Sequence, residues 1–144
     1  LEDFIPNIIL KSDTLAIAYG VSKKELEEIY SEGYAFYEEE HLSEASNTFR
    51  FLVILDPYIP KFWMGLAATQ QLLGDYEKAL HSYAMVTLLE KDNPYPHFHA
   101  SECYRALRNE PEAEIALDIA LDLAQKASYH ELQDRIEKLR LTVK

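Results

Sequence analysis

Residues 60–93 read PKFWMGLAATQQLLGDYEKALHSYAMVTLLEKDN. Two apolar-rich stretches flank Gly74-Asp75, and the segment opens on Pro60 and stops before Pro94. Proline suits the first turn of a helix, where its missing N–H costs nothing. A residue before proline is pushed out of the helical region, so Asp56-Pro57 and Asn93-Pro94 bound the unit on either side. The stretch predicts two helices, Pro60 to Leu73 and Tyr76 to Glu90, joined by a tight turn.

The unit recurs on both sides with a period of 34 residues. Ala79 has counterparts in Ala45 and Ala113, Tyr83 in Phe49 and Leu117, and Val86 in Leu52 and Ala120. Ala67 matches Gly33 and Ser101, and Trp63 matches Ile29 and His97. This period, with small and aromatic residues at such offsets, marks a helix–turn–helix solenoid. One copy cannot bury its apolar face alone, so copies stack and share a core. Two further pairs follow, Leu26 to Glu39 with Ser43 to Leu55, and Pro94 to Leu107 with Pro111 to Ala127. Ser22 with Glu25, and Ser128 with Glu131, read as capping boxes. The second box would open a last helix whose Leu132, Ile136 and Leu139 cover the end of the stack. Three segments result: an N-terminal helical segment (1–21), the repeats (22–127, divided at about 26–59, 60–93 and 94–127) and a C-terminal capping helix (128–144).

The repeats resemble the tetratricopeptide repeat. The middle copy carries the pattern best, in Trp63, Leu66, Ala67, Ala79 and Tyr83, but has Gln70 where an aromatic is usual and Lys91 where proline is usual. The first copy keeps Gly33, Phe36, Ala45, Phe49 and Pro57, and the third keeps Tyr104 and Ala113. The resemblance implies an all-α fold: three tandem repeats in a short right-handed superhelical solenoid with flanking N- and C-terminal helices. Trp63, Leu66, Phe49, Tyr83, Leu117 and the three alanines are expected between helices. In such stacks the first helix of each pair lines the concave face. The corresponding stripe reads Tyr30, Tyr34 and Tyr37, then Met64, Ala68 and Gln71, then Tyr95, Phe98 and Glu102. An ordinary solvated face would be charged. Tyrosine and methionine on an open surface suit an apolar ligand with a polar backbone.

A narrower resemblance runs over residues 22 to 127. LEEIYSEGYAFYEEEHLSEASNTFRFLVILDPY, KFWMGLAATQQLLGDYEKALHSYA and HFHASECY, followed by the Pro111 to Ala124 helix, look like the class II chaperones of bacterial type III secretion. That family holds the hydrophobic translocator proteins before export. The resemblance implies a cytoplasmic protein whose groove takes an extended translocator segment of Pro-x-Leu-x-x-Pro pattern. It implies Tyr30, Tyr34, Tyr37, Met64, Ala68 and Tyr95 as pocket residues, with Phe98 adjacent. It also implies a weak homodimer through the N-terminal region, here Phe4, Ile5, Ile8, Ile9, Leu15 and Tyr19. Two rivals stay open, a generic tetratricopeptide scaffold and a co-chaperone that clamps a C-terminal carboxylate. The clamp needs fixed cations, whereas the corresponding positions hold Tyr30, Tyr34, Gly65, Tyr95 and His99.

Composition narrows the rest. The net charge of −11 opposes binding to nucleic acid or anionic membranes. One cysteine, Cys103, permits no internal disulfide and fits a reducing compartment. No apolar run approaches the roughly 18 residues of a membrane span, and no signal peptide is visible. The chain opens on Leu1 rather than Met, and a longer native N-terminus is expected. An enzyme is not expected. His97 and His99 point to different faces of a helix, and no phosphate-cradling glycine loop occurs. Cys103 and His99 share a helix face, but a buried structural cysteine is far commoner than a nucleophile. No cofactor or metal is expected.

Overall fold

The computed structural model describes residues 13–143. Within them the chain forms only helices: α1 (Leu15–Ala18), α2 (Lys23–Glu38), α3 (Leu42–Leu55), α4 (Pro60–Leu72), α5 (Tyr76–Leu89), α6 (Tyr95–Ala106), α7 (Glu110–Lys126) and α8 (His130–Val143). From α2 onward each helix packs on the next, and α2 also reaches α4. The pairs α2–α3, α4–α5 and α6–α7 stack into a short right-handed solenoid, with α8 against α7. Short α1 rests on α3. Phe4, Ile5, Ile8 and Ile9 lie outside the described residues.

Local chemistry explains the ends. The capping box at Ser22 forms: its hydroxyl accepts from the Glu25 N–H at 3.1 Å, while the Glu25 carboxylate accepts from the Ser22 N–H at 3.3 Å. The first helix of every pair ends on a left-handed residue, Glu40 (φ 62°), Gly74 (φ 82°) or Arg108 (φ 61°). These are also one repeat apart. The following N–H groups of His41, Asp75 and Asn109 donate to Phe36, Gln70 and Tyr104 carbonyls, the Schellman arrangement that satisfies a helix end. Only the middle repeat places glycine there. A left-handed residue with a Cβ costs about 1–2 kcal/mol, and glycine gives back part of that through its freer unfolded chain. Glu40→Gly and Arg108→Gly are each expected to raise stability by about 0.5–1 kcal/mol. A higher urea midpoint at unchanged slope would be the sign, and a lower midpoint would contradict it.

The second expected capping box does not form. Ser128 takes the left-handed position after α7 (φ 59°), and its N–H donates to Gln125 while that of Tyr129 donates to Ala124. The motif ending α7 uses the residue that would otherwise cap α8. The last helix still covers the stack: Leu132 and Ile136 join Phe98, Leu117, Ala120 and Ala124 in one core cluster.

The interior follows the repeat. Ala45, Ala79 and Ala113 are fully buried and let paired helices approach. Phe49, Leu52, Leu55, Phe62 and Leu66 form the core of the first half, and Ala67, Ala79, Tyr83 and Cys103 that of the middle. Trp63 is only half-buried, with its indole N–H donating to the Pro57 carbonyl at 2.8 Å. Its neighbour Phe62 takes the enclosed position at 0% exposure. The indole needs a polar partner and finds one in the inter-repeat loop, whereas phenylalanine carries no such demand.

Candidate binding groove

Helices α2, α4 and α6 present one continuous concave surface. Its first part is a pocket of about 240 Å³ lined by Tyr30, Tyr34, Tyr37, Lys61, Met64 and Ala68. The floor is the Phe49 ring, contributed by α3 from behind. It reaches the pocket because α4 carries glycine at position 65: a Cβ there would sit 2.5 Å from Phe49 Cε1. Tyr30 packs 5.8 Å from both Phe49 and Phe62, and Tyr34 lies 6.3 Å from both Tyr30 and Tyr37. The tyrosines thus form a row of rings along the cleft wall. Lys61 sits 4.6 Å from the Tyr30 ring and 2.6 Å from the Glu27 carboxylate, so its charge is already engaged.

Tyr37, Met64 and Ala68 also line the next pocket, of about 330 Å³, with Gln71, Tyr83, Tyr95, His99 and Glu102. This part is polar and internally bonded. The Tyr83 hydroxyl donates to Gln71 Oε1 at 2.7 Å, and Gln71 Nε2 donates to Glu102 Oε1 at 3.3 Å. His99 Nδ1 lies 2.6 Å from the same carboxylate oxygen, and its ring stacks on Tyr83 at 5.7 Å. Burial opposes ionisation of Glu102, but the His99 contact, the Gln71 amide and nearby Arg135 outweigh it and hold its pKa below the usual carboxylate range. Burial pushes the Tyr83 hydroxyl well above the ordinary tyrosine range. Next to the ionised carboxylate, Tyr83 stays a neutral donor.

The structure brings eight of the nine stripe residues to these two pockets: Tyr30, Tyr34, Tyr37, Met64, Ala68, Gln71, Tyr95 and Glu102. Phe98 differs. It is 2% exposed and packs with Leu117, Leu132 and Ile136. By period it matches Tyr30 and Met64, but α8 covers the third repeat where those residues face open space. His99, next to it, lines the polar pocket. Lys61, Gly65, His99, Phe49 and Tyr83 line the pockets although they lie off the stripe. Period alone could have found one of them, since Lys61 matches Tyr95, whereas His99 matches only Gly65, itself off the stripe. Phe49 and Tyr83 come from second helices and enter only through the packing.

The remaining candidates separate. His97 faces a different cavity from His99, among Leu80, Tyr83, Pro96 and Ile119, and burial lowers its pKa. Cys103 is fully buried, and burial with neighbouring Glu102 pushes its thiol up to about 12. A thiol held protonated is a poor nucleophile. Among the described residues no cluster of His, Cys, Asp and Glu is placed to hold a metal ion, and no helix is long and apolar enough to cross a membrane. Leu15 and Tyr19 of the N-terminal patch are solvent-exposed.

A right-handed stack of helix pairs with an aromatic concave face defines a tetratricopeptide-repeat protein, and that family matches residues 26–58 and 60–93. Low calcium response locus protein H of Yersinia pestis is 33% identical over 132 residues, spanning 91% of this chain and 79% of the relative. The Yersinia enterocolitica type III secretion translocator chaperone SycD superposes with a TM-score of 0.81 at 32% identity, over 88% of this chain and 96% of SycD. SycD is also seen in an alternative dimer. PcrH of Pseudomonas aeruginosa, in complex with the chaperone binding region of PopB, superposes with a TM-score of 0.79 at 33% identity, over 83% and 97% of the two chains. The chain belongs to the family of type III secretion translocator chaperones.

Proposed function

We propose that this chain is a cytoplasmic, non-catalytic chaperone that holds an extended segment of a hydrophobic translocator protein in its concave groove. The carrying observation is the pair of adjoining pockets, the first walled by tyrosines and the second by a bonded polar network. An extended peptide supplies both chemistries. Proline and leucine side chains of a Pro-x-Leu-x-x-Pro pattern fill apolar pockets, while the backbone between them offers groups to Tyr34, Gln71, Tyr95 and Glu102. Prolines also restrict the free peptide, so less entropy is lost on docking. PcrH with its PopB segment supports this reading. Translocator helices too apolar for water would stay soluble while the segment is held, and release falls to the export machinery.

We assign the roles of the three segments in the same way. Residues 22–127 form the binding repeats and 128–144 cap them. Residues 1–21, with Leu15 and Tyr19 exposed on and beside α1, mediate a weak homodimer. The dimer seen for SycD supports this assignment.

The groove assignment is tested by titrating a synthetic Pro-x-Leu-x-x-Pro peptide into wild type, Tyr34→Glu and Tyr95→Glu. Both tyrosines are exposed, so the fold should tolerate the changes. A carboxylate at either rim should weaken binding about tenfold, because it removes an apolar ring face and must itself be desolvated. Equal affinity in all three proteins would sink the assignment.

A further inference from the structure

Beyond Glu102 the groove does not end. That residue is shared with a third pocket of about 540 Å³ between α6 and α8, lined by Phe98, Arg105, Arg135, Lys138 and Leu139. Three cations on one cavity stand out in a chain of net charge −11. They are not equivalent. Arg105 is held by Glu110 at 3.1 Å and by Glu114 at 3.4 Å. Arg135 and Lys138 have no ion-pair partner among the described residues, and lie three residues apart, on one side of α8. Arg135 sits with its Cζ 4.8 Å from the Phe98 ring. Stacking on an aromatic face orients a guanidinium and leaves its N–H fork free for a planar acceptor. Among the described residues the one carboxylate on the cavity wall is Glu102, which His99 and Gln71 engage by contact and which feels the Arg135 charge only from beyond ion-pair distance.

We propose that this cavity is a specificity subsite for acidic side chains of the bound segment, with Arg135 and Lys138 receiving an aspartate or glutamate flanking its apolar anchors. The inference rests on the groove reading above and adds what the ligand must carry beside the anchors. At the other end the one cation on the pocket wall, Lys61, is already paired with Glu27, so an acidic flank is favoured at this end. The subsite therefore sets the orientation of the segment as well as its choice.

Three synthetic peptides test it: the Pro-x-Leu-x-x-Pro core with glutamine flanks, with two glutamates before the core, and with two glutamates after it. Each is titrated into wild type and an Arg135→Gln/Lys138→Gln double variant. Both side chains are exposed, so the variant should fold normally. One acidic peptide, and not the other, should bind wild type about tenfold more tightly than the glutamine peptide at low salt. That gain should vanish in the double variant and shrink in high salt. Equal binding of all three peptides overturns the subsite while leaving the groove standing. So does a gain that survives in the double variant. Failure of even the glutamine peptide to bind wild type removes the groove reading itself, and the subsite with it.

Discussion

Truncating Phe49 to alanine is expected to destabilise the fold by about 3–5 kcal/mol. The ring is 1% exposed and wedged between α2 and α4. A Cβ at Gly33 would lie 3.2 Å from it, and one at Gly65 only 2.5 Å. Both helices carry glycine where the ring passes, so the space was shaped for this side chain. Neither glycine can swell to refill the void, and α2, α3 and α4 pack on one another around it. The site therefore has little room to collapse, which puts the cost toward the upper part of the range. Phe49→Leu keeps most of the volume and should cost less than half as much. Urea unfolding of the two variants checks this, and a loss under about 1.5 kcal/mol for alanine would show that the neighbours close in. Because the ring is also the pocket floor, the alanine variant should bind the core peptide more weakly even where it is fully folded.

The repeating parts of this architecture and the helix that ends the stack were legible in the chain, whereas contacts that depend on how the pieces meet were not. Ala45, Ala79 and Ala113 announce close helix packing because a small residue recurs where two backbones meet. The tyrosine stripe was readable because the first helix of each pair lines the concave face in tetratricopeptide stacks, and its residues share one helical stripe there. Phe98 shares that stripe, but burial depends on what lies beyond the last repeat, and α8 is not part of the period. Trp63 and Phe62 are adjacent and both aromatic. Which one is enclosed turns on the Pro57 carbonyl, a partner supplied by the loop. Ser128 has the composition of a cap, yet the end of α7 claims its backbone first. Phe49 and Gly65 show the limit most plainly. Each has an ordinary reading alone, and only their contact makes a second-helix side chain part of the groove.

Changing Met64 to glutamate should abolish most ligand binding while leaving the fold intact. Met64 is the hinge of the groove, since it lines both the tyrosine pocket and the polar pocket beside it. Its thioether adapts to irregular apolar shapes, which suits a surface that must accept the side chains of an extended segment. A carboxylate there would have to be desolvated against Tyr37 and Ala68 whenever a ligand docked. Lys61 cannot neutralise it cheaply, because its ammonium already meets Glu27 and the Tyr30 ring. Glu102 across the second pocket adds repulsion and stays ionised near neutrality. Burying an unpaired charge costs several kcal/mol, so a loss of about a hundredfold, roughly 2.7 kcal/mol, is expected. That exceeds the loss expected at Tyr34 and Tyr95, whose rings stand at the rim with water on one side. Met64→Leu preserves the apolar wall and should stay within a few-fold of wild type. Calorimetric titration of the Pro-x-Leu-x-x-Pro peptide into both variants, with thermal melts alongside, separates binding from folding. A folded Met64→Glu protein that binds within about threefold of wild type would mean that the ligand does not cross the junction of the two pockets.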